Sequence, residues 1–72
     1  MAKIDLMTEQ FIAETLNQHT RRFIAALLND IEGHLGGKSP EISRIVKDTS
    51  NASMRIMFTR ICNTEVESKH GG

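Results

Sequence analysis

The groups able to do chemistry in this chain of 72 residues are few: His19, His34, His70, Cys62 and the glycine-rich run GHLGGKS at residues 33–39. A metal centre needs several ligands that converge from a repeated spacing. Only His34 has acids close by, Asp30 four residues before it and Glu32 two before it, and no second ligand recurs one helical turn away. Ordinary surface and helix-end imidazoles are therefore expected, with no metal site. Cys62 is the single thiol, which excludes an internal disulfide and a zinc–thiolate cluster. No histidine stands at a local spacing that would activate it, so Cys62 reads as a small hydrophobe. The run GHLGGKS resembles a phosphate-binding loop only superficially. It is one residue short between Gly33 and Gly37, and a helical pattern rather than a strand precedes it. No enzyme class and no cofactor emerge from these residues.

Charge offers a second kind of chemistry. The formal net charge is zero, which argues against strong non-specific attraction to nucleic acid or anionic lipid. Between His19 and Arg60, however, seven basic residues face four acidic ones, a local excess of +3. Arg44, Lys47, Asn51 and Arg55 are expected on the solvent side of one helix, and Arg21 with Arg22 on the outer side of another. Lys38 stands beside a helix start, whose free N–H groups suit an anion. These six basic residues are the candidate ligand contacts, and in a symmetric oligomer each would be duplicated. Nucleic acid is the less favoured target, because tyrosine and tryptophan are absent and Phe11, Phe23 and Phe58 are expected to be buried.

The elements that must position these groups are legible from periodicity. Across residues 8–35, Ile12, Leu16, Phe23, Leu27 and Ile31 recur at three- and four-residue steps, the mark of an amphipathic helix. Thr8 is the expected N-cap, with Met7 and Ile12 as a hydrophobic staple around it. Gly36 follows the last periodic residue, Leu35, where a left-handed residue normally ends a helix; Gly33 would end it a turn earlier. Ser39 then caps a second helix, with Pro40 at its first position, where a missing N–H costs nothing. That helix is expected over residues 40–63, with a kink conceivable in the poor helix formers TSNAS at 49–53. The connection is short enough to make the two helices antiparallel neighbours.

The second helix carries more apolar surface than one neighbour can cover. Ile42, Ile45, Val46 and Thr49, continued by Ala52, Ser53 and Ile56, form one stripe. Met54, Met57, Phe58 and Ile61 form another, rotated by about 100°. The chain is thus expected to be an all-α antiparallel hairpin that assembles as a homo-oligomeric bundle, with Met54, Met57, Phe58 and Ile61 in or near the interface. Residues 1–72 make one small domain with flexible ends at 1–7 and 64–72. No run of about 18 apolar residues is present to span a membrane, no signal peptide is recognisable, and the lone thiol suits the cytoplasm.

The run SPEIS…NASM, with Ser39, Glu41, Ser43, Ala52 and Met54 after a turn between two helices, resembles the hairpin of the phage anti-CBASS proteins. Those are small helical oligomers that sequester cyclic di- and trinucleotide signals. The likeness covers residues 39–54 and consists of capping and core positions. Where that family carries a tryptophan-containing apolar end, this chain has MRIMFTRI, and it has no tyrosine to stack on a base. The resemblance implies an oligomer without catalysis that holds a small dianion between protomers. A binding protein is therefore expected, acting on a protein partner or a phosphate-bearing ligand such as a cyclic nucleotide, with an RNA- or DNA-binding hairpin as the alternative.

Overall fold

The computed structural model describes residues 2–66. In chain order it holds β1 (Ala2–Lys3), α1 (Leu6–Leu35), α2 (Pro40–Cys62) and β2 (Glu65–Val66). The two helices form the expected helical hairpin, 54 × 18 × 15 Å overall. Helix α2 runs through 49–53 as one uninterrupted element.

The central turn is built as its residues dictate. Gly36 adopts φ 79°, ψ 16°, the left-handed conformation that spares a glycine the Cβ clash. Its N–H and that of Gly37 both donate to the Glu32 carbonyl, at 2.9 and 3.2 Å, which closes the end of α1. Gly33 stays inside the helix. Ser39 is extended at φ −128°, and its Oγ accepts the Ile42 N–H at 3.3 Å. Pro40 opens α2 and Glu41 places an acid in its first turn, where the helix dipole favours it.

The first helix starts earlier than the sequence suggests. Asp5, not Thr8, is its N-cap: Asp5 is extended, and its Oδ1 accepts the Thr8 N–H at 2.8 Å. A carboxylate accepts from the helix start more strongly than a hydroxyl, so the cap moves three residues toward the N-terminus. Met7 accordingly lies inside the helix, mostly exposed, and forms no staple with Ile12. Hydrogen bonds from Thr8, its hydroxyl first and its backbone N–H second, hold the Asp5 carboxyl below the usual carboxylate range.

The chain ends also carry more structure than expected. Ala2 and Lys3 pair antiparallel with Val66 and Glu65, which joins the start of the hairpin to its finish. Thr64 Oγ1 donates to the Arg60 carbonyl at 2.8 Å and leads the chain from α2 into β2. Of the tail expected to be flexible, residues 67–72 lie outside the described part, and so does His70.

Among the described residues no hydrophobic side chain is buried, and Thr20 alone is, at 9% exposure. Two helices can bury only the surface that each turns toward the other. Everything else apolar remains in solvent.

Candidate binding surfaces

The residues with reactive side chains do not converge. His19 and His34 are exposed on α1, and among the described residues no group of three or more His, Cys, Asp or Glu could hold a metal ion. Cys62 is half-buried at the end of α2. Desolvation first, and the nearby Glu9 carboxylate second, push its thiol above the ordinary value. Both effects disfavour the thiolate, so Cys62 is a poor nucleophile at neutral pH.

The six basic candidates, Arg21, Arg22, Lys38, Arg44, Lys47 and Arg55, are all exposed. At about 100° per residue, Arg44, Lys47 and Arg55 fall within one outward arc of α2. Arg21 and Arg22 belong to the other helix and Lys38 to the turn. A single hairpin thus gathers three of its candidate cations on one strip, with the rest spread over its surface. No helix among the described residues is long and apolar enough to cross a membrane.

The apolar surface is better organised than the charged one. A furrow of about 640 Å³ runs between the helices. Leu16, Phe23 and Leu27 of α1 line it with Ile45, Val46 and Met57 of α2, while Thr49, Ser50 and Ser53 leave its floor shallow in side chains. His19 and Thr20 complete the wall. A smaller depression of about 330 Å³ is lined by Ala13, Leu16, Met54, Arg55, Phe58 and Thr59.

Around these hollows, large hydrophobic side chains stand in solvent. Phe23 and Ile45 are each 57% exposed and Ile56 60%, with Met57 and Ile61 less so. The expectation that all three phenylalanines are buried is corrected here. Phe11 is 67% exposed on the outward side of α1, Phe23 rims the furrow, and only Phe58 is half-buried. A hairpin gives each helix one neighbour, and Phe11 points away from it.

The four residues expected at a self-association interface separate into two pairs. Met54 and Phe58 are half-buried along the smaller depression, whereas Met57 and Ile61 are exposed. Sequence reasoning passed over Phe23, Ile45 and Ile56 as outward residues because it assigned them to the stripe between the helices. The usable signal was the step from Ile45 to Thr49, Ala52 and Ile56, which keeps to one side of a helix whose contact face is centred on Val46.

Comparison with protein-family models, with curated proteins and with solved structures finds no match to this chain.

Proposed function

We propose that this chain is a non-enzymatic binding protein that works as a self-associated helical bundle. It acts on a protein partner or sequesters a phosphate-bearing small ligand such as a cyclic oligonucleotide. In that role it is a small regulatory or counter-defence factor of the cytoplasm. The observation that carries the reading is the missing interior. Among the described residues no hydrophobic side chain is buried, yet nine large ones are prominently exposed. A monomer of this size has little else with which to offset the conformational entropy of folding. Assembly with another surface supplies the core that one hairpin lacks.

The phosphate branch is supported by the outward strip of Arg44, Lys47 and Arg55, which a two-fold axis would present twice. Guanidinium groups bind phosphate oxygens in pairs, so duplicated arginines suit a dianion. The exposed Phe11 and Phe23 favour a second reading, RNA or DNA binding, because bases stack on aromatic faces. The zero net charge opposes it.

Native mass spectrometry with a thermal-shift panel of cyclic dinucleotides and oligonucleotides tests the reading. An oligomer whose melting temperature rises by several degrees with a cyclic dinucleotide is the expected result. Replacing Arg44, Lys47 and Arg55 together by alanine should abolish that rise and leave the oligomer intact. Stabilisation by oligonucleotides with steep salt dependence would select the second reading, and silence across the panel would select a protein target. A monomer at micromolar concentration would overturn the proposal.

A further inference from the structure

Resting on the reading of a self-associating hairpin, we propose where the second copy docks and in which orientation. It lies face to face over the furrow, related by a two-fold axis parallel to the hairpin, so that α1 of each copy lies on α2 of the other. The furrow face carries a projection and a recess together. Phe23 projects from α1, more than half exposed, while across the furrow Thr49 and Ser53 leave α2 low. A surface that holds both knob and hole is what a two-fold interface requires, because each copy must supply what the other lacks.

The level of the two features fixes the orientation. Phe23 precedes Gly36 by as many residues as Ser53 follows Pro40, so both lie about 20 Å from the turn at ~1.5 Å per residue. An axis along the hairpin keeps every residue at its own level and exchanges the helices. Phe23 then meets the partner's Ser53, and the partner's Phe23 meets Ser53. A two-fold axis across the hairpin would instead set α1 against α1 and reverse the levels, so that Phe23 meets the partner's α1 and both recesses stay empty. Adjacent helices run antiparallel in both arrangements, so the filling of the recess, and not the helix dipoles, decides between them.

Area points to the same face. A broad side of 54 × 18 Å outlines about 970 Å², against the ~800 Å² that each partner contributes to an interface of standard size. Only a contact along nearly the whole hairpin suffices. The furrow side offers one: Ile45 and Met57 extend the apolar strip to either end of the Phe23 recess. The other side of the hairpin, where the smaller depression opens, is interrupted by Arg55, with Arg44 and Lys47 on the same arc of α2.

Directed cross-linking tests the arrangement. Phe23→Cys and Ser53→Cys are placed in separate chains that also carry Cys62→Ser, and the two chains are refolded together and mildly oxidised. The mixed disulfide should dominate over either self-linked product. Predominant linkage of Phe23→Cys chains to one another would overturn the orientation. A dimer in native mass spectra with no cross-link would overturn the face while leaving self-association standing, and a monomer would remove both. Because Phe23→Cys also removes the projection, Ser53→Trp provides an independent measurement. Filling the recess should weaken association at least about tenfold with helical content retained, whereas Asp48→Ala, exposed on the side of α2 away from the furrow, should leave it within about twofold. Unchanged association of the Ser53→Trp chain would overturn the proposal.

Discussion

The central turn and the furrow face differ in how much of their structure one chain can complete. At the turn, Gly36 and Gly37 donate to the Glu32 carbonyl, Ser39 receives the Ile42 N–H, and Pro40 needs no partner. The bonds that close α1 and open α2 form within a few residues. The furrow face meets almost none of its own demands: Phe23 and Ile45 are more exposed than covered, and Met57 is nearly half exposed. Hydrogen bonds at a helix boundary are short-range and close locally, whereas apolar surface is satisfied only by area brought from elsewhere. One chain therefore completes the first region and leaves the second open to solvent.

The contrast can be broken most forcefully at the furrow. Replacing Ile45 and Met57 together by glutamate should convert an oligomer to a poorly folded monomer. Each of these side chains, once withdrawn from burial in the proposed assembly, costs about 2 kcal/mol before the new charge is counted. Sedimentation velocity and circular dichroism on one sample measure both consequences, and an unchanged sedimentation coefficient would contradict the expectation. At the turn the expected effect is smaller and purely local. Gly36→Ala should cost about 1–2 kcal/mol, because alanine resists the left-handed conformation that this position holds. Chemical denaturation should register the loss while the stoichiometry at fixed concentration stays the same. Altered stoichiometry would mean that turn and face are coupled.

The smallest effect belongs to the other local cap. The Asp5 carboxyl is held below its ordinary value, so its contribution to stability is fully present above that value, near 3.8. It is lost as pH falls further, through the lowered folded value. Asp5→Ala should lower the melting temperature by a few degrees at neutral pH, with the difference from the parent chain shrinking in acid. A difference that persists unchanged at the acid end would show that the cap acts through something other than the carboxylate.

The same contrast decides what could be read before any coordinates. Gly36, Ser39 and Pro40 were legible because each residue type answers a local backbone requirement, and α2 ends within one residue of its expected boundary. The N-terminal cap was misplaced because Asp5 and Thr8 are both capping residues. Periodicity begins only at Ile12, too late to choose between them. The pairing of Ala2–Lys3 with Glu65–Val66 left no mark in so short a polar stretch, and nothing local foretells a partner so distant in sequence. The candidate surface was half legible. A surplus of apolar residues on α2 followed from counting stripes, but which stripe faces α1 depends on the rotation of the helix. That rotation is set by packing between helices, which an amphipathic pattern leaves free within tens of degrees.

The β1–β2 pairing has a practical consequence for anyone attaching a reporter. It brings positions 2 and 66 together at one pole of a rod 54 Å long, with Lys38 at the other. A fluorophore carried beside either of those positions would sense events at the same pole. One placed on Lys38 would sense the far end, so the pair forms a ready-made molecular ruler for energy transfer along the hairpin.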